Sequence, residues 1–533
     1  MRKLFFILFF PLFLNAQPPG FDNLTAEQRL GQTLVIFVDT DNAEKYKSII
    51  EKGLVGGALI QWGDYSLAQT TALTAKLQSW AKNSPAGIPL LISIDYEGGT
   101  VYTPVTLGFQ YLPTNMMIAA ARDEEAAARL FYLAGLQLKK AGVHINFSPV
   151  VDVNINPGNP IIGVRSFGAD SELVGRMGAA VISGMSAAGI MPVAKHFPGH
   201  GNTALDTHYE LPVLEVSREE MERTHLAPFK KAVDAGVPGI MTAHIIYKAY
   251  DPAHAATYSK KILNDLLQKQ MGFDGVIISD ALDMKGAMQG TIALNAARTI
   301  EAGSDMALLG RFINAENIFK QISALTGKEV SQARIDEAAK KIFDLKKKLG
   351  LFEETAETDD ISDAFDKASE DIARKSVTVL RDKKNIIPLK QEPGRLCAVF
   401  FAPTRFAGET AVFTKPFLEK GWKVNYYNAA MQPTSKDLKR ATDCAEGADA
   451  LVIATLQWAA KPFARQVSVV NELLGKYPDA AVISLMSPYE VTAYPKADTV
   501  ILTYGINKFS IKTAAEILLG IREAEGQLPI DLK

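Results

Sequence analysis

Between Ala194 and Pro212 the chain reads AKHFPGHGNTALDTHYELP, three histidines and an aspartate in a segment that Pro198, Gly199 and Gly201 keep from being a helix. Asp206 and His208 stand two apart, and in an extended loop such residues project to the same side. The carboxylate can then hold one ring nitrogen and leave the other facing a cavity, a general acid and base poised near neutral pH; the same pair also suits a loop that only needs pinning. Asp280 ends the apolar run GVIISDA, where an unsatisfied carboxylate is costly, so it is either a structural cap or a nucleophile. Lys195 and His196 close the run MPVAKHF, and Arg165 lies in GVRSFGAD. These donors suit hydroxyl groups or an amide oxygen, and equally suit ion pairs with Asp95 and Asp152. His196 and His200 are four apart, but that spacing gathers metal ligands only on a helix, so no metal and no cofactor is expected.

Such residues need elements to hold them. From residue 24 to about 350, eight short apolar runs alternate with stretches of helical period: 33–39, 57–62, 90–97, 145–153, 191–197, 239–245, 275–281 and 305–310. In between, segments such as SKKILNDLLQKQMGFDG place Ile262, Leu263, Leu266 and Leu267 on one stripe behind a capping Ser259. Eight such units predict a TIM-type (β/α)8 barrel, whose chemistry sits at the carboxyl ends of the strands. Asp95 and Glu97, Asp152, Lys195 and His196, His244 and Asp280 all fall at those ends. The histidine-rich segment is therefore a loop at the barrel mouth.

The pattern predicts a barrel domain over 17–350, an acidic linker over 351–369 and, over 370–533, an open parallel α/β sandwich domain without a P-loop or GxGxxG fingerprint. Arg2 and Lys3 before the apolar run Leu4 to Leu14 read as an export signal over 1–16, cut after Ala16, which directs the protein to the periplasm or the exterior. No later run is long enough to cross a bilayer, so stable membrane insertion is not expected. With 57 basic and 59 acidic residues, the net charge of −2 gives no general attraction to nucleic acid. Cys397 and Cys444 are the only cysteines; they could pair in an oxidising compartment, but one falls on a strand and the other on a helix, and two buried thiols are the plainer reading.

Six motifs in order, IDYEGG (94–99), NFSPVVDV (146–153), RSFG (165–168), KHFPGHGNTALDTH (195–208), MTAHI (241–245) and ISDALDM (278–284), resemble glycoside hydrolase family 3, in its β-N-acetylhexosaminidase branch. SVTVLRDKKNIIPL and GQLPIDL look like the second domain of two-domain members. The resemblance implies a retaining exo-β-N-acetylglucosaminidase acting on sugars that end in β-linked N-acetylglucosamine. Asp280 matches the nucleophile that forms a covalent glycosyl-enzyme, and His208 matches the acid/base, oriented by Asp206. Asp95, Arg165, Lys195 and His196 match positions that contact the sugar. Thr100 and Thr103 stand where the family commonly has arginines, and Asn202 where it commonly has aspartate. Another family 3 exo-β-glycosidase such as a β-glucosidase, transfer to phosphate, or a non-catalytic sugar-binding relative are the alternatives. Trp62 is either a packing residue or a face on which a sugar stacks.

Overall fold

The computed structural model describes residues 20–532 apart from 62, 64–65, 100–108, 312, 354–358, 390–391 and 458–461. The export signal of 1–16, Trp62, Thr100 and Thr103 thus lie outside the described residues.

Each of the eight apolar runs forms a strand: β1 (Leu34–Val38), β2 (Gly57–Ile60), β3 (Leu91–Ile94), β4 (Ile145–Asn146), β5 (Met191–Phe197), β6 (Gly239–Thr242), β7 (Val276–Ile278) and β8 (Ala307–Leu308). They pair in parallel in chain order, β8 returns to β1, and the Ile278–Met306 bridge closes the ring. Alternation along each strand explains why the runs are apolar throughout. Val35, Phe37, Leu59, Val193 and Met241 fill the lumen, whereas Leu34, Ile36, Val38, Ala58 and Ala194 meet the outer helices. Ile342 and Leu345 of the helix Gln332–Lys348 close the lumen where the strands begin. The stripe of Ile262, Leu263, Leu266 and Leu267 is buried on the helix Lys261–Gln270, and Ser259 Oγ accepts from Ile262 N, as the sequence predicts.

The second sheet has six strands: β9 (Thr378–Asp382), β10 (Arg395–Phe401), β11 (Lys423–Ala429), β12 (Ala450–Thr455), β13 (Ala481–Ser484) and β14 (Thr499–Leu502), in the order β9-β14-β13-β12-β10-β11. It corrects a purely parallel expectation, because β9 runs antiparallel to β14. It also adds β11, whose KVNYYNA is half-exposed at the sheet edge and so lacks a continuous apolar run. Cys397 on β10 and Cys444 on the helix Ser435–Ala445 form a disulfide, not two free thiols, because that helix packs against β10 and brings their Cα atoms to 5.6 Å.

The stretch read as an acidic linker is only partly one. The helix Ser362–Ser376 begins inside it, with Phe365, Ala368, Ser369, Ile372 and Ala373 buried at helical spacing beneath an acidic outer face. Lys375 Nζ on this helix meets Asp123 Oδ2 of the barrel at 2.7 Å. The C-terminal segment returns to the barrel, where Ala169 N donates to Pro529 O at 3.0 Å. Gly168, at φ +148°, leaves room for that carbonyl, which a side chain would strike.

Candidate active site

Asp95 and Glu97 follow β3, and the Asn146 side chain fixes the chain between them through Tyr96 N and Tyr96 O, at 2.9 and 3.0 Å. Lys195, near the end of β5, reaches both carboxylates, with Nζ 2.7 Å from Asp95 Oδ1 and 2.5 Å from Glu97 Oε1. Arg165 grips Glu97 with two parallel bonds, Nε to Oε2 at 2.7 Å and Nη2 to Oε1 at 2.8 Å. Burial opposes the charge on Glu97, but Arg165 and Lys195 outweigh it and hold the carboxyl down at about 2. Of the ion pairs left open by the sequence, Lys195–Asp95 exists here, whereas Arg165 pairs instead with Glu97, which joins it to Lys195. Their buried charges are mutually dependent: removing one partner of such a pair costs about 3–5 kcal/mol.

Asp152, fully buried beyond β4, organises the start of the histidine-rich loop. Its Oδ2 meets His196 Nδ1 at 2.7 Å, and its Oδ1 accepts from His200 N at 2.7 Å. Burial raises the Asp152 carboxyl, yet His196 and His200 prevail and keep it ionised. Tyr247 OH adds a bond to Gly199 O at 2.9 Å. His200 is enclosed between Thr203 Oγ1, 3.1 Å from Nδ1, and Thr207 Oγ1, 3.3 Å from Nε2, and burial with the neighbouring His196 lowers it to about 4.

Beyond Thr203 the loop rises to the mouth. His208 Nδ1 lies 2.7 Å from Asp206 Oδ1, which also accepts from His208 N at 2.9 Å. Asp206 therefore stands behind the ring rather than in the cavity. The segment after β7 receives the loop: Gly286 N donates to Thr207 O at 3.0 Å and Lys285 N to His208 O at 3.4 Å. A Cβ on Gly286 would lie 2.7 Å from Glu210 O, so glycine is required for this seat.

Asp280 leads into that same segment. Burial alone would raise its carboxyl, but the His196 and His244 rings, the Ala281 N–H at 2.7 Å and Lys195 hold it below the usual carboxylate value. His244 is locked between Thr257 Oγ1 at 2.8 Å and Ala281 O at 3.1 Å, and burial lowers its affinity for a proton.

Asp95, Arg165, Lys195, His196, His208 and Asp280 line one cavity of about 220 Å³ over an apolar floor that includes Phe147 and Met241. This lies below the usual range for drug-sized ligands, which suits a single ring. An ionised carboxylate, an imidazole with Nδ1 engaged and Nε2 available, and a set of fixed hydroxyl-binding groups can together perform displacement at an electrophilic carbon with proton transfer. Glu97, His200, Asp283 and Arg311 also line the cavity and were missed as site residues, and Asp152 supports it from behind. Glu97, Asp152 and His244 were legible as polar strand ends; His200 signalled itself only as an unlikely metal ligand. Among the described residues, none from the second domain lines the cavity, although Tyr489 OH accepts from Asn154 Nδ2 at 2.9 Å behind it.

A family model described as the glycosyl hydrolase family 3 N terminal domain matches residues 25–345. The beta-hexosaminidase A of Pseudoalteromonas piscicida is 34% identical over 326 residues, covering 56% of this chain and 54% of that protein, so the chain spans about half the length of that relative. A protein of Cellulomonas fimi named beta-N-acetylglucosaminidase/beta-glucosidase is 27% identical over 549 residues, 95% of this chain and 93% of its own. The solved structure of a glycoside hydrolase family 3 beta-N-acetylglucosaminidase from Paenibacillus sp. str. FPU-7 superposes with a TM-score of 0.87 at 30% identity, covering 96% of this chain and 99% of that one.

Proposed function

The chain belongs to glycosyl hydrolase family 3, and from that premise we propose that it is a retaining exo-β-N-acetylglucosaminidase. The observation that carries this reading is the meeting of Asp280 and an Asp206-held His208 in one cavity sized for a single ring. Asp280 attacks the anomeric carbon as the bond to the leaving oxygen breaks, and the protonated His208 delivers its Nε2 proton to that oxygen. The neutral imidazole then takes a proton from water, whose oxygen attacks the same carbon and releases Asp280, so configuration is retained. Lys195, Arg165, Asp95 and His196 hold the sugar hydroxyls and the amide. Asp206 keeps the Nδ1 proton in place and so fixes which nitrogen works on the substrate.

The test is turnover of nitrophenyl β-N-acetylglucosaminide against the β-glucoside, with and without added phosphate, followed by trapping with a 2-fluoro glycoside. Preference for the N-acetyl substrate, no dependence on phosphate and an adduct on Asp280 are expected. Comparable glucoside turnover would favour the dual activity in the name of the Cellulomonas fimi relative. An adduct elsewhere would remove Asp280 from its role.

Export to the periplasm or the exterior forms part of the same reading. The signal-like residues 1–16 and a disulfide between the only two cysteines both suit an oxidising compartment. Among the described residues, no helix is long and apolar enough to cross a membrane.

A further inference from the structure

Among the described residues, eight large hydrophobic side chains are exposed; three of them, Leu205, Tyr209 and Leu211, lie on the loop that carries His208, and a fourth, Val213, opens the short strand that follows it. A fifth, Met288, follows the segment on which that loop is seated. Scattered apolar residues need no explanation, but a well-exposed aromatic ring beside a residue that lines a polar cavity suits a surface that a ligand covers. Tyr209 is the most exposed of them, at 68%. Its ring lies 6.5 Å from the His208 ring, tilted by 52°, and stands outside the cavity that His208 lines.

We infer that Tyr209 is the stacking face of a leaving-group subsite, which takes a second pyranose. The inference rests on the glycosidase reading above. Once Asp206 occupies Nδ1, the leaving oxygen must come within hydrogen-bond reach of Nε2. The cavity's volume suits one ring, so what that oxygen carries extends out of the mouth beside His208, and Tyr209 is the exposed ring next to His208 there. A β-linked pyranose with equatorial substituents presents its axial C–H groups as a flat apolar face. Tyrosine meets such a face with a large, rigid area while its hydroxyl stays wet. The subsite also receives acceptor sugars while Asp280 carries the glycosyl group, so it favours transfer to a sugar over transfer to water.

The experiment compares two substrates that need the same proton and differ by one ring: a β-1,4-linked N-acetylglucosamine disaccharide and methyl β-N-acetylglucosaminide. Tyr209→Ala is expected to lower kcat/KM for the disaccharide by about tenfold and to leave the methyl glycoside nearly unchanged, with Tyr209→Phe close to wild type on both. Transfer to added N-acetylglucosamine should fall in Tyr209→Ala alone. Equal losses on both substrates, or a loss on neither, overturn the subsite while the glycosidase reading stands. Wild-type protein inert toward every β-N-acetylglucosaminide would remove both.

Discussion

His200 Nε2 lies 3.3 Å from Thr207 Oγ1, and this contact ties the anchored root of the loop to the residue between Asp206 and His208. Asp152 fixes the His200 backbone, and burial keeps the ring uncharged at neutral pH. A neutral imidazole has one donor and one acceptor, which matches one hydroxyl on each side, Thr203 and Thr207. The position of the His208 ring is thus set by a polar chain that begins at the buried Asp152 beyond β4.

Thr207→Val removes that hydroxyl and keeps the shape. It should slow substrates with poor leaving groups by about tenfold and activated nitrophenyl substrates much less, because only the former need a well-placed proton. Thr207→Ser should restore the wild-type pattern, and His208→Ala sets the limit of the effect. Initial rates over a series of leaving groups measure it; uniform slowing would mean that the contact stabilises the fold and does not aim His208.

Asp280→Ala should reduce kcat by on the order of 10⁴-fold or more, since the proposed covalent bond is made by this carboxylate, while Asp95 and Glu97 in the same cavity are held in ion pairs by Lys195 and Arg165. Its melting temperature should stay within a few degrees of wild type, because the side chain faces the cavity and fills no part of the hydrophobic core. Rates and a thermal melt on one preparation decide both parts.

The barrel was legible because fully buried parallel strands cannot hide: residues 33–39 and 191–197 are apolar on both faces, and their polar ends had to face the mouth. Strand β11 was not, because half of KVNYYNA faces solvent at a sheet edge. The site divides in the same way. Asp280 and His208 stood out by type and position, whereas the bidentate Arg165–Glu97 pairing and the His200–Thr207 contact join residues whose nearness only the fold decides. Spacing in sequence carried no information about either.

The Cys397–Cys444 disulfide closes a loop with a sequence separation of 47, which by the loop-entropy argument contributes up to about 4 kcal/mol to stability. Reduction, or Cys444→Ser, should lower the stability of the second domain and leave the kinetics of the barrel site unchanged. Unfolding in urea with and without reductant measures the first, and kcat/KM the second. A peptide map showing two free thiols in protein recovered from an oxidising compartment would contradict the pairing.

Lys346 offers a test of stability against pH. Its ammonium is fully buried at the base of the barrel with Gln32 Oε1 at 2.6 Å, and burial lowers it to about 7. In the unfolded chain a lysine titrates near about 10.4. Between those values the unfolded state binds the proton and the folded state does not, so this group makes stability fall as pH drops from about 10 to 7, by at most about 1.4 kcal/mol per pH unit. Below about 7 both states are protonated and the penalty stays constant. Lys346→Met removes the slope but leaves Gln32 Oε1 without this donor, a pH-independent cost of about 1–3 kcal/mol. Relative to wild type, the variant should therefore gain stability steadily from pH 10 down to 7 and no further below it. Urea midpoints across that range separate the slope from the offset, and a difference independent of pH would mean that Lys346 stays charged in the folded protein.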